Sequence, residues 1–303
     1  MSITRFLENV IMTLQDVRGH HTTSAQRQLG ERLTTELAVL SRSPSAGPQL
    51  DFWKATCDEL YECARFQDPM TFLRWPPIAM TMTGGTSPDG IAAYRILQRS
   101  PRWPTWSKII RHPNYGASRP FLPNLSTNCI TVQHASHLEI FLQRTGHSFL
   151  DADCIVDLGA GYGAMCMVAR RLGYRGQYVI FDQPPVLALQ RYYLALNGID
   201  ANYGTGDVAL CRSLSETEEI SRRFKTVSVV STWALSEMPV ELRQQAEPLL
   251  ASATKVLLAY QADFEGIGNR EYFTGLTQRI TAPWKHFEID FFPRNFYVFK
   301  VEA

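Results

Sequence analysis

The residues with the clearest chemical potential lie between positions 154 and 183. Cys154-Ile155-Val156-Asp157-Leu158 runs into Gly159-Ala160-Gly161-Tyr162-Gly163 and then Ala164. Glycines at alternate positions permit a tight turn and a close backbone approach to a ligand, because a Cβ at Gly159, Gly161 or Gly163 would take up the ligand's space. A helix beginning at such a turn presents unpaired N–H groups and partial positive charge to a carboxylate or phosphate. About twenty residues further on, Asp182 and Gln183 follow Gln177-Tyr178-Val179-Ile180-Phe181, where a carboxylate reaches a ribose diol. The loop fits two spacings, G-x-G-x-G and G-x-G-x-x-A, and so two classes of nucleoside-bearing cofactor. Asp157 favours the first, since a carboxylate two residues before the first glycine suits a cofactor that carries an ammonium group.

These residues need strands to hold them. The apolar run around Val156 predicts a buried strand, residues 164–173 a helix closed by Gly173, residues 177–182 a second strand, and Pro184 to Gly198 a helix opened by proline and closed by Asn-Gly. Residues 201–205 form a weak third strand followed by Gly206-Asp207-Val208, residues 227–230 a fourth and 255–260 a fifth, and 286–290 with 295–300 a terminal hairpin. Strands alternating with helices give an α/β fold with a doubly wound parallel sheet, whose ligands lie beyond the carboxyl ends of the strands. Asp157, Asp182, Asp207, Trp233, Glu237 and Gln261 are all expected there.

Upstream, residues 1–18, 22–41 and 50–66 read as helices, with Arg18-Gly19-His20-His21 a turn and 41–48 a linker. Residues 69–90 and 99–128 read as irregular and 90–98 as helical. Trp103, Trp106, Tyr115 and Phe121, interleaved with Arg102, Lys108, Arg111 and His112, suit either the wall of a polar-ligand pocket or the packing of a small cap. Residues 126–144 read as a helix with His134 and His137 three apart on one side. Two regions follow: 1–125, a mostly helical cap for substrate or oligomerisation, and 126–303, the cofactor-binding fold.

Asp157-Leu158-Gly159-Ala160-Gly161-Tyr162-Gly163, Phe181-Asp182-Gln183-Pro184-Pro185 with Leu189-Gln190-Arg191-Tyr192-Tyr193, and Ser231-Thr232-Trp233-Ala234-Leu235-Ser236-Glu237 together resemble the sugar O-methyltransferase family of class I S-adenosylmethionine-dependent methyltransferases, over about residues 120–303. The resemblance implies a Rossmann-like sheet ending in an antiparallel hairpin, S-adenosylmethionine as cofactor and S-adenosylhomocysteine as product. It places Asp157, Gly159, Ala160, Gly161, Tyr162, Gly163, Asp182, Gln183, Asp207, Val208, Ser231 and Trp233 around the cofactor, with Asp207 and the Val208 N–H at the adenine edge. Methyl transfer requires alignment and removal of a proton from the acceptor hydroxyl. Glu237, in the Ser-Glu element, is the favoured base, ahead of His134, His137 and Asp263. Tyr162 and Trp233 offer aromatic faces to a sulfonium, worth roughly 0.5–2 kcal/mol.

Composition narrows the alternatives. The 303 residues are 45% hydrophobic and 19% charged, with a net charge of +1 and no Lys/Arg run. The expectation is a globular protein with a small-molecule acceptor, no nucleic-acid partner and no membrane partner, self-associating as a homodimer through its N-terminal helices if at all. No leader-like start and no long apolar span indicate a cytoplasmic location. Six cysteines without a C-x-x-C pair read as buried thiols, and no carboxylate cluster follows the fourth strand, so no metal is expected. An N-methyltransferase of a small molecule or peptide, a nicotinamide-dependent oxidoreductase, and a non-catalytic partner protein are the competing readings.

Overall fold

The computed structural model describes residues 3–18, 22–42, 49–111 and 115–302. Residues 19–21 of the expected turn, most of the 41–48 linker and His112 fall outside them, and Arg18 closes α1. In chain order the elements are α1 Ile3–Arg18, α2 Ser24–Leu40, α3 Asp51–Phe66, α4 Pro76–Thr81, α5 Pro88–Arg99, α6 Trp103–Ile109, α7 Cys129–Thr145, β1 Cys154–Leu158, α8 Ala164–Arg171, β2 Gln177–Phe181, α9 Pro184–Leu196, β3 Asn202–Tyr203, β4 Val208–Cys211, α10 Leu214–Ser221, β5 Val227–Thr232, α11 Val240–Ser252, β6 Lys255–Gln261, β7 Asp263–Phe264, β8 Ile267–Gly268, α12 Asn269–Arg279, β9 Trp284–Glu288 and β10 Asn295–Val301.

Eight strands form one sheet in the order β3-β4-β2-β1-β5-β6-β10-β9. Neighbours from β3 to β6 pair in parallel, whereas β10 runs antiparallel to both β6 and β9. The doubly wound sheet and its terminal antiparallel hairpin therefore stand as the sequence predicts, and the sheet is Rossmann-like. Because the chain reverses between β5 and β2 on either side of β1, the carboxyl ends of these three strands open a crevice at the switch point.

Strand alternation assigns the two faces. Cys154, Val156 and Leu158 of β1 pack with α10, α11 and α12, while Ile155 joins the core formed with α7, α8 and α9. That second core continues without a break into Leu33 and Leu37 of α2, Leu60 of α3, Ile78 of α4 and Leu97 of α5. The N-terminal helices thus rest directly on the cofactor-binding fold. α1 is an exception to the amphipathic rule: Ile3, Phe6, Leu7, Val10 and Leu14 face outward, while Glu8 is buried and accepts the Thr86 N–H at 2.6 Å.

Three expectations need correction. Residues 69–90 hold a 3-10 turn at Pro69–Arg74, then α4 and the start of α5, and 99–128 holds α6. Pro69, Pro76, Pro88 and Pro104 occupy first-turn positions, where a missing N–H costs nothing, so prolines that read as loop signals are helix starts. The third long strand is β4, Val208–Cys211, fully buried, rather than 201–205, which supplies only the two-residue edge β3. This moves Asp207 to the amino end of the sheet.

Candidate functional site

A cavity of 420 Å³ opens at the crevice. Its floor is Gly159, Ala160, Gly161 and Tyr162 with Ala164 at the start of α8; Phe181, Asp182 and Gln183 come from the end of β2, and Trp233 and Glu237 from the segment after β5. His134 of α7 reaches it from above. The wall opposite is built by residues that the sequence leaves silent: Trp53 of α3, Met82, Thr83 and Gly84 after α4, Asp89 in the first turn of α5, and Phe292 from the hairpin.

The glycine loop owes its composition more to conformation and packing than to a ligand. Gly159, Gly161 and Gly163 all have positive φ, at 75°, 56° and 95°. A Cβ on Gly159 would sit 2.1 Å from the Ala234 Cβ, and one on Gly163 would touch Leu194 at 3.4 Å. Only Gly161 faces room, its nearest neighbour being Met82 at 3.9 Å. The expected close ligand approach therefore narrows to Gly161.

Asp182 is clamped to this loop. Its Oδ1 accepts the Gln183 N–H at 2.8 Å and its Oδ2 the Gln190 Nε2 at 2.7 Å; the same amide bonds the Gly161 carbonyl at 2.8 Å. Burial pushes its carboxyl up to about 7, against the lowering by these donors and the Ala160 N–H. The carboxyl lines the cavity.

Asp157 does not line the cavity. Two residues after Ile155 on β1, it points to the face covered by α8 and α9, is 3% exposed, and accepts the Tyr178 hydroxyl at 2.8 Å. Burial raises its carboxyl to about 7. A carboxyl raised in the fold binds more protons than the unfolded chain between about pH 4 and 7, so its contribution falls as pH rises through that window, by up to about 4 kcal/mol. Asp157→Asn, which keeps an acceptor for Tyr178, is expected to be more stable than the parent at pH 8 and to lose that advantage by pH 4.5. Urea unfolding at the two pH values measures it, and a difference independent of pH would sink the assignment.

After β5 the chain is braced from several sides. Ser231 Oγ donates to the Leu158 carbonyl at 2.8 Å and accepts the Leu235 N–H at 2.9 Å, so it ties the segment to β1 without entering the cavity. Trp233 adopts φ 67° and ψ −37°, a conformation unusual for a bulky residue. It is held there by its N–H to the Ala259 carbonyl (2.6 Å) and its indole Nε1 to Asn295 Oδ1 (2.7 Å). Behind the indole lies His137, ring centroids 5.3 Å apart, whose Nδ1 bonds the Tyr297 hydroxyl at 2.6 Å. His137 thus supports Trp233 and does not face the cavity. Burial drives both histidines below the usual range, His134 to about 4 and His137 to about 3, so both are neutral at pH 7.

Glu237 presents its carboxylate between two donors, Gln261 Nε2 at 2.9 Å and the Trp53 indole. Burial holds it above the ordinary carboxylate range despite both donors and the nearby Arg243. Arg243, fully buried, fixes the turn beneath it by bonding the Met238 and Ser236 carbonyls at 2.7 and 2.5 Å and Asn269 Oδ1 at 2.6 Å. No motif singles out Arg243.

Other expected site residues lie elsewhere. Asp207 is exposed, and its carbonyl accepts the Tyr178 N–H (3.0 Å) and Arg170 (2.7 Å) at the far edge of the sheet; Val208 is buried inside β4. Asp263 is in an ion pair with Arg294. Gly163 caps α8 without reaching the cavity. Of the basic and aromatic residues at 102–121, none among the described ones lines it: Trp106 and Phe121 are core, Arg102 pairs with the buried Glu139, and Lys108 and Arg111 are exposed. Among the described residues no three His, Cys, Asp or Glu side chains gather into a metal-binding group, and no helix is long and apolar enough to cross a membrane.

The chain is similar to several solved structures. One is the methyltransferase domain of bacterial CtHen1-C, at 12% identity over 56% of this chain and 97% of that one, with a TM-score of 0.40. A second is a SAM-dependent methyltransferase from Aquifex aeolicus, at 14% identity over 64% and 97%, TM-score 0.38. A third is the 16S rRNA methyltransferase RmtF in complex with S-adenosyl-L-homocysteine, at 14% identity over 90% and 99%, TM-score 0.39. No family model matches the chain, and no curated protein matches it. Likenesses this distant carry no argument about cofactor or acceptor.

Proposed function

We propose that the chain is an S-adenosylmethionine-dependent O-methyltransferase acting on a hydroxyl of a sugar or small natural product. The observation that carries the reading is the convergence, on one cavity at the switch point of a class I sheet, of the glycine loop, Asp182 and Glu237. The donor set fits the cofactor: Asp182 keeps free lone pairs for a ribose diol, Gly161 leaves room above the loop, and Tyr162 and Trp233 line the same space. When bound, S-adenosylmethionine supplies a methyl group on a positively charged sulfur. The chain's own task is to orient the acceptor and take its proton, and Glu237, raised toward working pH and fixed by Gln261 and Trp53, suits that task. His134, neutral and with its Nδ1 unpartnered among the described residues, stands on the opposite wall as an acceptor for a second hydroxyl.

The cavity's charge supports an uncharged acceptor. Its acidic lining consists of Asp89, Asp182 and Glu237, each raised by burial, with no Lys or Arg among the described residues, so a phosphorylated acceptor would find no cationic partner there. The sulfonium cation is matched there by acidic side chains, whereas the pyrophosphate of a nicotinamide dinucleotide would find no Lys or Arg among the described lining residues. The outward apolar residues of α1 support self-association through the N-terminal helices.

Calorimetric titration of the purified chain tests the cofactor. S-adenosylhomocysteine and S-adenosylmethionine are expected to bind, NAD and NADP not to, and Asp182→Ala to weaken S-adenosylhomocysteine by at least 30-fold, roughly 2 kcal/mol for a charge-assisted hydrogen-bond pair. Binding of a nicotinamide in preference would transfer the site to the oxidoreductase reading.

A further inference from the structure

The stretch from residue 90 to residue 138 contains Arg95, Arg99, Arg102, Lys108, Arg111 and Arg119 and no Asp or Glu. It carries +6, and since the whole chain is +1, the remainder carries −5. The fold gathers this asymmetry on one side. α5 buries Ala93, Tyr94 and Leu97, and α6 buries Trp106. Both are pinned to α7 through the buried Glu139, which accepts Ser100 Oγ at 2.6 Å and Trp106 Nε1 at 2.7 Å and faces Arg102 at 3.7 Å. Their outer sides therefore make one layer. Arg95 and Arg99, four apart and opposite the buried stripe, and Lys108 and Arg111 are all exposed on it, with no carboxylate partner among the described residues. Arg171 of α8 extends the layer, since its guanidinium bonds the Ile109 and Arg111 carbonyls.

We infer that this outer layer of α5 and α6 is a docking surface for a single-stranded nucleic acid, held through its phosphates. Three observations favour that occupant. The exposed cations are mostly arginine, whose planar fork matches phosphate oxygens. Half-buried Trp103 and Tyr115 lie among them and offer ring faces to bases. Among the described residues the exposed large apolar side chains lie on α1 and at Val39, Phe66, Met80 and Leu125, none of them on α5 or α6, so these two helices lack what would insert into a lipid surface. The surface lies outside the acid-lined cavity, and the inference holds whatever the methyl acceptor is.

Fluorescence anisotropy of a labelled 20-nucleotide oligouridine with the full chain tests it. Binding is expected at 50 mM KCl, and about 50-fold weaker binding at 200 mM, the slope for roughly four neutralised phosphates on a single strand. Arg95→Glu/Arg99→Glu should weaken it at least tenfold, as should Lys108→Glu/Arg111→Glu. Arg222→Glu/Arg223→Glu just past the C-terminal end of α10, with the same change of net charge, should leave it intact. Unchanged S-adenosylhomocysteine affinity in the first pair would show that this variant is folded, and that pair suffices should the second fail to fold. No binding at 50 mM KCl, equal loss in the α10 control, or binding to phosphatidylserine–phosphatidylcholine vesicles in place of the oligonucleotide would each overturn the inference.

Discussion

Glu237→Gln is expected to bind S-adenosylhomocysteine as tightly as the parent while methyl transfer to its acceptor falls by two orders of magnitude or more. The amide is isosteric and keeps one oxygen for a bond from Gln261 or Trp53, whereas the ability to take a proton is lost. Burial sets the sign of the pH profile. Because the carboxyl lies above its ordinary range, its proton leaves later than that of a free glutamate, and kcat/KM should climb through that raised value and level off beyond it. Removing the Trp53 donor by Trp53→Phe should move the acid limb to higher pH while leaving it present. The readout is product formation by mass gain of one methyl, followed from pH 5 to 9. Near-parent turnover in Glu237→Gln would exclude Glu237 as the base and pass the role to His134.

Gly159→Ala is expected to cost about 2–5 kcal/mol of stability. About 1–2 comes from an L side chain at positive φ and about 1–3 from overpacking, because the new methyl would sit 2.1 Å from the Ala234 Cβ. Gly161→Ala carries the conformational term alone, since its Cβ meets nothing closer than Met82 at 3.9 Å, but it intrudes on the cavity. The two substitutions should separate: the first lowers the urea midpoint more, and the second loses cofactor affinity out of proportion to its stability. Equal effects on both measurements would mean that the loop is not divided between packing and ligand as described.

Much of this was legible from residue patterns because the signals are local. The β1–loop–α8 unit and the Asp182 position follow from an apolar run, three glycines and a spacing of about twenty residues, and the structure brings Gly161, Asp182, Trp233 and Glu237 to one cavity. Asp157 was misdirected although strand alternation speaks to it: Ile155 and Asp157 share one side of β1, and Tyr178 lies on the neighbouring strand β2. Asp207 went astray because Gly204 and Gly206 break the chain just before a four-residue strand, and the two-residue β3 was taken for the strand itself. Trp53, Asp89 and Phe292 reach the cavity from positions some 70 to 130 residues from the glycine loop, and no local periodicity reports such contacts. Arg243 is silent for a different reason: its partners are two main-chain carbonyls and one amide, none of which forms a sequence motif.

β10 lies inside the sheet, between β6 and β9, and its first residue, Asn295, holds the Trp233 indole. During synthesis, everything from β1 to β6 emerges before the strand that fixes this tryptophan in its unfavourable backbone conformation. A nascent chain can therefore shape the glycine loop and the Asp182 clamp early, yet the Trp233 indole has no anchor until residue 295 has left the ribosome. The Trp233 side of the pocket is thus completed only once β10 has paired with β6.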